Sequence, residues 1–161
     1  MSRQISPRLR LDGYLPFRFS VLSNAISSNI ARIYEEEFGL SIWQWRIVAI
    51  LGETNGLTSK QVGERALMDK WMISRTVTSL QKKGLLVRGV DPIDRRRVPL
   101  TLTESGKAIY DAIVPRALAL EQDLLSALSD TDRAELQRLL GRLATIASPD
   151  RALWSSPAAD E

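Results

Sequence analysis

Apolar positions recur along this chain with two periods, and the switches between them mark out its elements. Between Leu15 and Phe38, the residues Leu22, Ile26, Ile30, Ile33 and Tyr34 follow helical spacing, which predicts one long helix with Pro16 in its first turn and Gly39 as its stop. Glu35, Glu36 and Glu37 fall near its carboxyl end, against the dipole preference, so that end is expected to be solvated. Ser41 and Gln44 have capping-box spacing and open a second helix that ends before Asn55-Gly56.

Thr58 and Gln61 repeat that spacing and start a short helix to about Ala66, with Val62 facing inward. Asp69 is a good N-cap for a helix from Lys70 to Lys83, which Gly84 closes. Ile73, Val77 and Leu80 share one face of it, while Lys70, Ser74, Arg75, Thr78 and Ser79 fall on or beside the opposite face. The period then shortens. Leu86–Val90 and Val98–Leu102 read as strands, with Val98, Leu100 and Leu102 pointing inward and Pro99 placing the second strand at a sheet edge. Thr103 caps a long helix to about Leu128, bent at Pro115. Ser129 caps a last helix with Leu136, Leu139, Leu140 and Leu143 on one side.

Two short helices joined by a tight turn, followed by a hairpin whose loop holds Asp94, Arg95, Arg96 and Arg97, form the pattern of a winged helix-turn-helix that reads double-stranded DNA. The charge distribution agrees. Residues 58–97 hold ten Lys and Arg against four Asp and Glu, a local charge of +6, which leaves −3 on the rest of a chain whose net charge is +3. A basic centre in an acidic frame suits phosphate binding.

Composition narrows the alternatives. The chain has 161 residues, 44% apolar and 25% charged, ordinary for a globular protein with a core of its own. With no Cys, thiol redox sensing, thiolate ligation and cysteine nucleophiles are excluded, and with no His the usual general base and commonest metal ligand are missing. Neither an enzyme nor a metal site is expected. No apolar run approaches the ~18 residues of a membrane span, and MSRQISPRLRLD lacks the apolar centre of a secretory signal, so a cytoplasmic chain with no membrane partner is expected.

The motif Asp94-Arg95-Arg96 followed by Leu102-Thr103-Glu104-Ser105-Gly106, together with Leu80-Gln81-Lys82-Lys83-Gly84-Leu85, resembles the wing and recognition-helix signatures of the multiple-antibiotic-resistance regulator (MarR) family of bacterial transcription factors. The resemblance covers roughly Leu15 to Ile146 and departs at Trp71-Met72, where many members carry small polar residues. It implies a mostly helical fold with a small β-wing: a winged helix-turn-helix flanked by long N- and C-terminal dimerisation helices. On that reading residues 1–12 form a disordered tail, 13–40 the first dimerisation helix, 41–102 the DNA-binding lobe, 103–148 the C-terminal dimerisation helices and 149–161 a flexible tail. It further implies a homodimer on one palindromic site, acting as a repressor that a small aromatic or anionic effector releases.

Several residues are expected at these sites. Arg96 at the wing tip suits a narrow minor groove, with Asp94 holding its guanidinium and Arg95 and Arg97 serving phosphates. Arg75 and Ser74 can reach base edges, Lys70 the groove or backbone, and Trp71 either a thymine methyl or the protein's own interior. Thr58, Ser59 and Lys60 sit where unpaired helix N–H groups gather and suit phosphates. Tyr14, Phe17, Arg18, Trp43, Trp45 and Arg46 offer apolar walls and cations for an effector carboxylate, although Trp43 and Trp45 are equally readable as core or interface. Leu136, Leu139, Leu140 and Leu143 read as core and subunit interface. An activator, a ligand-independent repressor and a winged-helix protein-docking module remain open.

Overall fold

The computed structural model describes residues 8–93 and 97–148; the expected tail at 149–161 and the wing residues Asp94, Arg95 and Arg96 lie outside them. Of the tail expected over 1–12, residues 1–7 lie outside the described residues, and a 3-10 turn at Leu11–Gly13 precedes the first helix. The elements then run in the order α1 (Leu15–Arg32), a π-helical turn (Ile33–Glu37), α2 (Ile42–Glu53), β1 (Leu57–Thr58), α3 (Ser59–Ala66), α4 (Lys70–Lys82), β2 (Leu86–Arg88), β3 (Pro99–Leu102), α5 (Glu104–Leu125) and α6 (Asp130–Ala147).

The long first helix expected to reach Phe38 therefore stops being α-helical at Arg32. Consecutive residues of an α-helix diverge by about 100° around its axis, yet Ile33 and Tyr34 are both buried. The widened turn is compatible with that, and it leaves Glu35, Glu36 and Glu37 outside. Arg116 of α5 grips Glu37 with two guanidinium nitrogens at 2.6 Å each, which ties this turn to the C-terminal half of the chain.

Helix starts follow the expected chemistry. Ser41 with Gln44 and Thr58 with Gln61 form complete capping boxes, and Asp69, Thr103 and Ser129 each accept a backbone N–H from their own first turns. Leu67, in the left-handed region at φ 53°, makes the turn between α3 and α4, where the Met68 N–H bonds the Gly63 carbonyl.

The sheet has the order β1-β3-β2, all antiparallel, so β3 is the central strand and not an edge. The missing strand in the sequence reading was β1, only two residues long. Pro99 is tolerated centrally because its carbonyl accepts from Gly89 N–H at 2.7 Å on the β2 side, where the donor it lacks would have faced beyond the end of β2. Bonding toward the β1 side passes instead to Leu100, whose carbonyl accepts from Gly56 N–H at 3.1 Å. Val98, expected inward, is exposed and precedes the strand, while Leu100 and Leu102 are buried as expected.

One core cluster forms where α2, α3, α4, α5 and the sheet meet, with Ile47, Val62, Val77, Leu80, Leu100 and Ile113 fully enclosed. Tyr34 of the π-turn stacks on Trp45 of α2 at 6.3 Å, and Trp45 meets Tyr110 of α5 at 6.4 Å, which anchors the long helices to this lobe. Away from it the helices are bare. Neither α1 nor α6 has a buried residue, and Leu22 and Ile26 of the predicted stripe are 55% and 40% exposed.

Candidate nucleic-acid interface

Helix α4 presents the face that the sequence assigned to a ligand. Asp69 accepts the Met72 N–H at 2.7 Å and fixes the start of the helix. Ile73, Thr76, Val77 and Leu80 then turn inward, with the Thr76 hydroxyl donating to the Met72 carbonyl at 2.8 Å. Lys70, Trp71, Ser74, Arg75 and Thr78 stay exposed. Trp71 is 64% exposed rather than packed inside, and the Arg75 guanidinium lies 5.2 Å over its ring centroid. Ser79 stands apart from the rest of the expected set: it is half-buried, and its Oγ accepts from Gln44 Nε2 at 2.8 Å.

Sequence reasoning found Gln44 only as the capping partner of Ser41 and missed its distant bonds. Its Oε1 also accepts from Ser41 N–H at 3.0 Å and from Lys83 Nζ at 3.3 Å, and Lys83 Nζ donates to the Gly39 carbonyl as well. This buried amide therefore links the start of α2 to the carboxyl end of α4 and, through Lys83, to Gly39 beyond the π-turn. The partners lie 35 and 39 residues away in sequence, beyond any local pattern.

At the start of α3 the Thr58 hydroxyl is committed to its own cap, accepting from Gln61 N–H at 3.3 Å and lying 2.9 Å from Gln61 Oε1. Ser59 is half-buried, whereas the Lys60 side chain is 86% exposed with Glu64 only loosely opposed at 3.9 Å. Ser59, Lys60, Lys70 and Ser74 border a cleft of about 540 Å³ between α3 and α4, closed on one side by Arg88 of β2. Arg88 was not singled out from the sequence; its Nε donates to Gln81 Oε1 at 3.0 Å, which sets it beside the recognition helix.

The base of the wing is pinned by Asp91, another residue the sequence reading passed over. One carboxylate oxygen accepts the Ile93 N–H at 2.9 Å, and the other lies 3.8 Å from Arg97 Nη1. Arg97 is thus partly neutralised at the foot of the hairpin.

Among the described residues, the six candidate effector residues fall in several separate places. Phe17 and Arg18 border a cleft of about 580 Å³ along the first turns of α1. Tyr14 is exposed just before it. Trp45 belongs to the aromatic stack of the lobe. Trp43 faces Trp71 and Gln44 across a cleft of about 330 Å³ at the mouth of α4, and Arg46 stacks on it at 5.0 Å. Of the four leucines on α6, Leu136 and Leu139 are exposed and Leu140 and Leu143 half-buried.

Some surface charges are paired, and a pair can shift both of its partners. Its bond to the Arg116 guanidinium keeps the Glu37 carboxyl below the usual glutamate range, and the same bond raises Arg116. Burial, with the Glu35 carboxylate nearby, pushes the Tyr34 phenol up, so that it stays neutral. Among the described residues no His, Cys, Asp or Glu cluster could hold a metal ion, and no helix is long and apolar enough to cross a membrane.

Known proteins share this arrangement. Residues 38–97, from the end of the π-turn to the wing, match the MarR family model. The HTH-type transcriptional regulator FarR of Neisseria gonorrhoeae is 31% identical over 103 residues, 64% of this chain and 70% of the relative. A MarR-family transcriptional regulator from Silicibacter pomeroyi is 28% identical and superposes with a TM-score of 0.72 over 91% of this chain and 98% of that one. This chain belongs to the MarR family. A further similar structure is the PcaV transcriptional regulator of Streptomyces coelicolor in complex with its natural ligand, 25% identical, with a TM-score of 0.72 over 88% of this chain and 99% of that one. As a MarR-family member the chain is a DNA-binding transcriptional regulator, and α3 and α4 form its helix-turn-helix.

Proposed function

We propose that this regulator works in the cytoplasm as a homodimeric repressor, bound to a palindromic operator and released by a small aromatic or anionic effector. The observation that carries the reading is the outward face of α4, where Lys70, Ser74 and Arg75 stand opposite the buried Ile73, Val77 and Leu80. A helix displayed in that way fits the major groove. Lys60 and Arg88 flank it and suit phosphates, and Arg96 is assigned to the minor groove at the wing tip. Asp94, Arg95 and Arg97 support that contact.

The dimer is supported by the bare apolar surface of α1 and α6, which a second copy would cover. An isologous pair of lobes matches two half-sites about one helical turn apart. The effector is supported by the PcaV complex and by the apolar cleft of α1, where Arg18 offers a cation for a carboxylate. A ligand that binds better to one spacing of the two lobes shifts the dimer away from the spacing DNA requires.

Mobility shifts on duplex fragments flanking its own gene, run across a salt series, test the core of the proposal. Affinity is expected to fall steeply with salt because phosphate neutralisation supplies much of it. Arg96→Ala should weaken operator binding by about 1–3 kcal/mol, and Lys60→Ala should weaken all duplexes about equally. A dimer without salt-sensitive duplex binding would instead mark a protein-docking module.

A further inference from the structure

Among the cations of the winged lobe, Arg75 on Trp71, like Arg46 on Trp43, is held by an aromatic ring, and of the two only Arg75 stands on α4. Arg65 lies 2.8 Å from Glu53, Arg97 3.8 Å from Asp91 and Lys60 3.9 Å from Glu64, so each has a carboxylate offsetting part of its charge. Arg88 gives its Nε to Gln81. No ion pair among the described residues involves Arg75. Its guanidinium rests on the Trp71 ring, 5.2 Å from the centroid.

The two modes of holding an arginine have different consequences. A carboxylate occupies N–H donors; an aromatic face engages the flat surface of the guanidinium and leaves its in-plane donors available. Trp71 and Arg75 are four residues apart, so they meet on one helix face without help from another element. The Asp69 cap keeps that first turn formed. Trp71 itself is 64% exposed on the side away from Ile73, Val77 and Leu80, where burial gives no reason for an indole.

We propose that Trp71 is a positioning residue for sequence reading: it holds the Arg75 guanidinium extended from α4 so that the in-plane donors take N7 and O6 of one guanine in each half-site. The inference rests on the DNA-binding reading above and adds to it a specific base contact and the device that sets it. A preorganised fork loses less side-chain freedom on binding than a mobile one, so the gain falls on discrimination at that guanine rather than on phosphate affinity.

Selection of binding sites from a random duplex pool with the full chain tests this. Arg75→Ala is expected to abolish preference at one guanine per half-site. Trp71→Ala should cut that same preference roughly tenfold, with salt-dependent binding to random duplex unchanged. Trp71→Tyr, which keeps an aromatic face, should retain it. The double variant should be no worse than Arg75→Ala alone, because both substitutions remove one contact. The proposal is overturned if Trp71→Ala leaves the guanine preference intact, alters a different base, or adds independently to Arg75→Ala. If the unaltered chain shows no salt-sensitive duplex binding, the DNA reading itself fails; if it binds duplex with a guanine preference indifferent to Trp71, only this inference fails.

Discussion

A Cβ added at Gly106 would stand 2.1 Å from the Leu85 carbonyl oxygen, a backbone atom that cannot swing aside. That same oxygen accepts the Thr103 N–H at 3.1 Å, and the Thr103 hydroxyl donates to the Gly84 carbonyl at 2.7 Å while accepting the Gly106 N–H at 3.1 Å. The Leu-Thr-Glu-Ser-Gly motif is therefore a clasp that holds the first turn of α5 against the end of the recognition helix. Gly106→Ala gains about 1 kcal/mol of helix propensity but meets an overpacking cost at the upper end of about 1–3 kcal/mol. A net loss of about 1–2 kcal/mol is expected, seen as a fall of several degrees in Tm; an unchanged Tm would mean that α5 can slide away from Leu85. At this scale the sequence was legible wherever a residue's partner lies within a turn of it. Ser41, Thr58, Asp69, Thr103 and Ser129 all cap as their spacing implies. It was opaque where the partner is distant: Ser79 reads as a surface hydroxyl until the fold brings Gln44 to it.

At the scale of elements, what the sequence hid was register and helix widening. Pro99 implies an edge only while the direction of its absent donor is unknown, and two-residue β1 carries no periodic signal to announce a partner strand. Likewise, helical spacing through Ile33 and Tyr34 gives no sign that the turn there widens to five-residue π geometry. That turn is tied to α5 by the bidentate Glu37–Arg116 pair, and the pair titrates. Because the bond to Arg116 depresses the Glu37 carboxyl in the folded chain, its stabilisation is fully present above the ordinary glutamate range and is lost as pH falls through the depressed value. Glu37→Gln should therefore lower Tm at neutral pH and converge with the unaltered chain as the solution is acidified below that range. The effect should be small, since both side chains are about half exposed and solvent screens the pair. A gap in Tm that widens on acidification would contradict this role for the pair.

Across the whole molecule, the core and the apolar surface occupy different places. Most of the buried aliphatic residues lie in the winged lobe, whereas α1 and α6 bury none; Phe17, Leu22, Leu118 of α5, Leu136, Leu139 and Ile146 remain between 40% and 74% exposed. Exposed apolar surface of that extent marks an association site, and an isologous pairing of the two ends would bury it twice over. Substitutions there count double, because each changes both protomers. Leu139, 43% exposed in the protomer, has less than half of the about 1.5–3 kcal/mol of a fully buried leucine left to gain, so Leu139→Glu forfeits about 1–3 kcal/mol over the two copies, before the penalty of burying a carboxylate. That is about ten- to a hundredfold in the dimerisation constant. Sedimentation equilibrium at micromolar protein should show the unaltered chain as a dimer and this variant shifted toward monomer, while the lobe, whose core excludes Leu139, keeps its fold. Operator affinity should fall with it, since a lone protomer engages one half-site and loses the additive contribution of the second. A variant that stays dimeric and binds as before would place the subunit contact on another face and leave the two lobes without the spacing a palindrome requires.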